Sequence, residues 1–113
     1  MVIGDNCFFN NDCSLNAHKS IEIGTDCLFG ENVKIYDHNH IFKDTRMRIA
    51  KQGYKVDNVV IGSNCWICSN VVILKGVKIG DNCIIGAGCI IKKDVPEGTI
   101  VKNESNINYI KLK

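Results

Sequence analysis

Three histidines are the only side chains in this 113-residue chain whose ordinary titration range straddles neutral pH. Two of them, His38 and His40, lie two residues apart in Ile35-Tyr36-Asp37-His38-Asn39-His40, and the third is His18. A neutral imidazole near pH 7 can take the proton of a hydroxyl that attacks a carbonyl, so the His38–His40 segment is a candidate general base. Position alone is weak evidence, because a lone histidine more often serves the fold than the chemistry. Seven cysteines form a second candidate set, and Cys65-Trp66-Ile67-Cys68 has the spacing of a metal or redox pair. A structural zinc site would need further ligands converging on that pair, and none is placed to do so.

A repeat must position all of these residues. Written in sixes, residues 61–96 read IGSNCW, ICSNVV, ILKGVK, IGDNCI, IGAGCI and IKKDVP. Every block opens with Ile, and its fifth slot is small or β-branched: Cys65, Val71, Val77, Cys83, Cys89, Val95. The same phase opens the chain as IGDNCF, FNNDCS and LNAHKS, slips by two residues, and resumes as IGTDCL, FGENVK and IYDHNH. Strands alternate with period two and helices with about 3.6, so neither accounts for a strict six. A polygonal coil does. Each six makes one flat face and a corner, three sixes close a triangular turn of 18 residues, and turns stack as parallel strands at ~4.8 Å. The large aliphatic fills the interior, and Gly and Asn occupy corners because they tolerate positive φ.

The phase covers 3–40 and 59–96, a little over four coils. The organisation expected is a β-helix domain over 1–98 with an inserted loop at 41–58, then a tail at 99–113 that adds a last strand and leaves the prism. The insert lacks the six-residue phase and carries Lys43, Arg46, Arg48, Lys51 and Lys55 against Asp44 and Asp57. Long inserts without structure of their own are more often functional than decorative. Six cysteines fall in the fifth slot, where a compact hydrophobe is wanted, and are expected to be packing residues. Cys68 falls in the second slot, faces outward on this phase, and its role stays open.

Charge narrows the function classes. Fourteen basic and twelve acidic side chains leave a net charge of +2, too near balance for an electrostatic nucleic-acid binder. No apolar run approaches the 18 residues of a membrane span. The segment MVIGDNCFFNND lacks a basic stretch followed by an apolar one, so no secretory signal and a cytoplasmic location are expected.

IYDHNHIF, the loop, and VVIGSNCWICSNVVILKGVKIGDNCIIGAGCIIKKDVP together resemble the hexapeptide-repeat acyltransferases, in particular the sugar and capsular-polysaccharide O-acetyltransferases. The resemblance runs from about residue 3 to 98. It implies an all-β, left-handed parallel β-helix; the left hand comes from the resemblance alone, since parallel crossovers are otherwise right-handed. It implies acetyl-CoA as co-substrate, no metal, direct attack of a sugar hydroxyl on the thioester, and a homotrimer with active sites at subunit interfaces. Aligned through Ile35-Tyr36, the family's base falls on His40 rather than His38, with Asp37 or a backbone carbonyl left to hold its tautomer. The implied cofactor contacts are Ser69, Ala87, Lys92 and Lys93, and the implied acceptor contacts are Asn10, His18 and Trp66. His18 stands where relatives carry an acidic residue, Cys68 where they carry Gly, and Lys102-Asn103-Glu104-Ser105 where they end in Gly-Asn-Pro-Ala. The family's tail contacts to CoA therefore do not carry over. The missing amino-terminal segment of the maltose and galactoside enzymes points to the shorter capsular or lipopolysaccharide type.

Three other readings use the same features. An N-acetyltransferase acting on an amino-sugar nucleotide or antibiotic keeps the fold and the cofactor. A γ-class carbonic anhydrase needs three converging histidines, and none follows His40. A non-catalytic scaffold would explain the short coil count, but retention of the His40, Trp66 and Ser69 pattern speaks against it.

Overall fold

The computed structural model describes residues 1–104 and 109–112; Ser105, the last residue of the atypical ending, lies outside them, as does part of the tail. Short parallel strands form three sheets, one per face of a triangular prism. Face A stacks β1 (Val2–Ile3), β4 (Ile21–Ile23), β9 (Val59–Ile61) and β12 (Lys78–Ile79), extended by a bridge from Ile79 to Val95. Face B stacks β2 (Phe8–Phe9), β5 (Leu28–Phe29), β10 (Trp66–Ile67), β13 (Ile84–Ile85) and β15 (Ile100–Val101). Face C stacks β3 (Ser14–Asn16), β6 (Lys34–Tyr36), β11 (Val72–Ile73) and β14 (Ile90–Ile91). The tail thus contributes the final strand expected of it.

Over residues 61–96 the six-residue phase predicts the interior residue by residue. Ile61, Ile67, Ile73, Ile79, Ile85 and Ile91 are buried, and so are the fifth-slot residues Cys65, Val71, Val77, Cys83, Cys89 and Val95. Slot five is more than filler where it holds Cys. Cys7, Cys27, Cys65 and Cys83 line one corner, and their thiols donate to the carbonyls of Gly24, Gly62, Gly80 and Pro96 at 3.1–3.2 Å. Valine fills the same space without that bond between coils. The neighbouring Cys65 side chain and burial hold the Cys27 thiol well above the usual thiol range, so it stays protonated. Cys68 is half-buried, and burial pushes its thiol up.

The corners divide the work that sequence reasoning assigned jointly to Gly and Asn. Positive φ falls in slot four, at Asn6, Asp12, Asp26, Asn32, Asn64, Asn70, Asn82, Gly76 and Gly88. Two of these asparagines also bond to the next coil, Asn32 to Asn70 and Asn64 to Asn82, both at 2.8 Å. The slot-two glycines have a different cause, the close approach of coils. A Cβ on Gly62 would lie 2.7 Å from Asp81 N and 2.8 Å from the Gly80 carbonyl carbon, and would strike the Asp81 carboxylate as well. Gly62→Ala is therefore expected to cost about 1–3 kcal/mol through overpacking. Urea denaturation reads this directly, and an unchanged midpoint would mean that the coils separate more easily than the packing implies.

Two interruptions share the corner between faces C and A. In the later coils partners are 18 residues apart, as in Val60 with Lys78. At the two-residue slip the offset is 20, as in Val2 with Glu22, and across the insert it is 38, as in Glu22 with Val60. The regular coil gives way at Asp37, and 38–40 is not a face of the prism as the sequence phase suggested. Instead β7 (His38–His40) runs antiparallel to β8 (Tyr54–Val56), in register His38–Val56 and His40–Tyr54. The insert is thus an organised arm rather than a structureless loop. A 3-10 turn covers Ile49–Lys51, and Gln52 ties the bend by donating to Asp44 O (2.9 Å) and Met47 O (2.8 Å) while accepting from Asp44 N–H (3.2 Å). Asp57 N–H closes its base on Asp37 O at 2.8 Å.

Candidate active site

Asp37 organises the corner from which the arm departs. It is fully buried, and its carboxylate takes the three backbone N–H groups that the two-residue slip leaves without coil partners. His18 N–H reaches Oδ1 at 2.8 Å, and Lys19 and Ser20 N–H reach Oδ2 at 2.7 and 2.9 Å. His38 Nδ1 adds a fourth bond to Oδ1 at 3.0 Å. Burial opposes ionisation, but these donors outweigh it and hold the Asp37 carboxyl well below the usual carboxylate range. The imidazole that Asp37 holds is therefore His38, so of the two alternatives open for His40 the carboxylate of Asp37 is not its partner. The reason is local: His38 and His40 share one face of β7, but His38 stands at the base of the arm beside Asp37, while His40 lies two residues further out along it.

Four rings gather there. The centroid of His18 lies 3.9 Å from that of His38 and 4.4 Å from that of Tyr54, and Tyr54 lies 4.8 Å from His40. Tyr54 thus bridges the exposed His40 to the histidine pair. It went unrecognised in the sequence because nothing periodic marks it; only the hairpin register, after the turn at Gly53 with φ +86°, puts it opposite His40.

Clefts flank the arm. One of about 210 Å³ is lined by His40, Phe42, Lys43, Lys55 and Lys75 among others. Another of about 290 Å³ is lined by His38, Asn39, Leu74, Lys75 and Lys92. Lys92 thereby joins the histidine cluster, while Lys93 is exposed one residue beyond. Lys75, shared by both clefts, was not singled out in the sequence, where a slot-three lysine reads as an ordinary solvated corner. Among the described residues no group of three or more His, Cys, Asp or Glu side chains is arranged to hold a metal ion.

The other candidates lie elsewhere on the prism. Ser69 and Ala87 stack at the corner between faces B and C, where Ser69 O accepts Gly88 N–H at 3.0 Å and Ser69 Oγ accepts Glu31 N–H at 3.0 Å. Asn10 is exposed at the same corner, two coils earlier than Ser69. Trp66 is half-exposed in the middle of face B. Within one chain the Ser69–Ala87 edge and the His40–Lys92 edge are therefore different edges of the triangle.

The structure is thus a hexapeptide coil with an imidazole-bearing arm and lysine-lined clefts at one corner. The family description "Bacterial transferase hexapeptide (six repeats)" matches residues 58–93. The chain carries that hexapeptide repeat and is similar to hexapeptide-repeat acetyltransferases, and its coil is the left-handed parallel β-helix expected from the resemblance. It is 35% identical over 98 residues to the galactoside O-acetyltransferase of Lactococcus lactis, covering 86% of this chain and 46% of that one. The hexapeptide-repeat-containing acetyltransferase VCA0836 from Vibrio cholerae superposes with a TM-score of 0.80 at 33% identity, covering 88% of this chain and 56% of that one. A galactoside acetyltransferase solved in complex with coenzyme A gives a TM-score of 0.64 at 26% identity, over 88% and 58% of the two chains. The chain spans about half the length of the curated relatives it matches. No helix among the described residues is long and apolar enough to cross a membrane.

Proposed function

We propose that this chain catalyses acetyl transfer from acetyl-CoA to a hydroxyl of a sugar, whether in a polysaccharide, a lipopolysaccharide or a sugar precursor. The observation that carries this reading is the arm, which takes His40 out of the prism beside clefts lined by Lys43, Lys55, Lys75 and Lys92. The lysines suit the phosphates of CoA, and the galactoside acetyltransferase that holds coenzyme A has the same fold. An alcohol is far too weak an acid to attack as an alkoxide near pH 7. His40 removes the hydroxyl proton as the oxygen bonds to the acetyl carbonyl carbon. The tetrahedral oxyanion is met by a backbone N–H of the coil wall. Collapse breaks the carbon–sulfur bond, and the CoA thiolate leaves and recovers the proton. No group on the enzyme is acylated.

Ser69 and Ala87 present the backbone wall along which the pantetheine arm lies, and Asn10, His18 and Trp66 contact the acceptor. Because that wall and His40 sit on different edges, one complete site draws on two chains, which supports a homotrimer. Face B supplies a surface for it: Phe8, Leu28, Trp66, Ile84 and Ile100 stack outward as one apolar ladder, and four of the five are more than half exposed. A cytoplasmic setting keeps the seven free thiols reduced.

Titration calorimetry with CoA and acetyl-transfer assays across sugars and nucleotide sugars test the reading. CoA is expected to bind, and Ala87→Trp, at an exposed corner, is expected to weaken it about tenfold or more by filling the groove. An acceptor range confined to amines would overturn the hydroxyl assignment. Absence of CoA binding at millimolar concentration would overturn the function.

A further inference from the structure

We propose that Asp37 and His38 form the acceptor-specificity element of the site: the buried carboxylate positions the ring so that Nε2 accepts a hydrogen bond from a sugar hydroxyl other than the one acetylated. This rests on the sugar acetyltransfer reading and deepens it.

The tautomer follows from the partners. An ionised carboxylate can only accept, so the proton on the neutral ring sits on Nδ1, 3.0 Å from Asp37 Oδ1, and Nε2 is left bare. With Nδ1 committed, Nε2 is the one ring nitrogen a ligand can use. The ring is also held still. Its side chain is 16% exposed, and the His18 ring meets it edge-on at 3.9 Å. Oδ1 of Asp37 takes both the His38 ring and the His18 backbone N–H, so a single atom fixes the positions of two imidazoles. They line a cleft of about 340 Å³ together with Leu15, Asn16, Ala17 and Tyr36. That is at the small end of ligand pockets, about 300–1,000 Å³, and suits one sugar ring.

His38 and His40 thus divide the acceptor between them. His40, exposed on the arm and contacted by Tyr54 alone among the rings, meets the hydroxyl that reacts. His38 meets a neighbouring hydroxyl and reports whether it is present and correctly oriented. A bare acceptor that is not satisfied by the wrong sugar discriminates strongly, whereas an apolar wall would not. Asp37 acts through His38 and is a positioning residue.

The test uses the full chain, acetyl-CoA and methyl glycosides of galactose, glucose, mannose and N-acetylglucosamine, with kcat and KM measured separately. The wild type is expected to prefer one glycoside about tenfold or more in kcat/KM. His38→Phe, which keeps a ring against His18 and Tyr54, is expected to flatten that preference to about threefold or less, mainly through KM. Binding of acetyl-CoA is expected to survive the change. An unaltered preference in His38→Phe, or a wild type without preference, overturns the proposal. So does a uniform collapse of kcat at constant KM, which would make His38 the base. If no sugar is acetylated although acetyl-CoA binds, the sugar reading fails first and takes this one with it. Nitrogen-15 spectra of the unsubstituted protein give an independent check. His38 is expected as the Nδ1–H tautomer, and an Nε2–H tautomer overturns the assignment whatever the variant does.

Discussion

His40→Ala is expected to lower acetyl transfer by about 10²–10⁴-fold while CoA binding and the thermal midpoint stay near those of the wild type. The side chain is exposed on β7 and has ring contact with Tyr54 only, so removing it leaves no cavity in the coil. The loss should fall on kcat, because the proton moves only as the carbon–oxygen bond forms. The same variant tests the shared site. Subunits carrying His40→Ala, refolded together with subunits carrying Ala87→Trp, should regain part of the wild-type rate. In a mixed trimer one groove can pair an intact His40 with an intact wall. Near-normal kcat in His40→Ala would remove the base assignment. A mixture that stays inactive while wild-type controls refold would confine each site to one chain.

Asp37→Ala is expected to be the most destabilising single change outside the apolar interior, costing about 3 kcal/mol or more. It strands the N–H groups of His18, Lys19 and Ser20 in a corner that the arm base covers. The pH dependence has a definite sign. The carboxyl is held below its usual range in the folded chain, so its contribution is complete above the unfolded value of about 4. It is lost progressively as pH falls below that and approaches the folded value. The stability difference between wild type and Asp37→Asn should therefore be flat from about pH 5 upward and shrink below about pH 4. Denaturant titrations at several pH values measure it. A difference that does not change with pH would mean that the Asp37 carboxyl is not held below its usual range in the folded chain.

The two halves of the molecule were unequally legible. Ile61 through Val95 could be read because burial repeats with the same phase as the sequence, and a six-residue period leaves few alternatives for where each side chain points. The corner at Asp37 could not. A buried aspartate in IYDHNH looks like any polar residue before a loop, and its three backbone partners come from a slip about twenty positions earlier. Slot-two glycine was read with the wrong cause, since sequence does not distinguish a need for positive φ from a need for closeness. His40 was placed by family resemblance and lies on the arm as a protruding residue, but its neighbour Tyr54 depended on a hairpin register that no periodic pattern announces. Lys92 and Lys75 came together through coil stacking, which links positions 17 residues apart that carry no mutual signal.

The arm joins the second coil to the third without disturbing their alignment: Ile23 still sits beside Ile61, although 38 residues rather than 18 separate partners there. In polymer terms this junction is inexpensive. Closing a flexible loop costs about 0.6 kcal/mol for each doubling of length, and 38 is close to twice 18. Stacking on either side outweighs such a term. The coil can therefore hold its geometry while the segment that carries His40, the proposed base, changes in length and composition. The same arithmetic bears on assembly of the chain: contacts within 59–96 close at the shorter separation, so this half is expected to stack before the first coils join it across the arm.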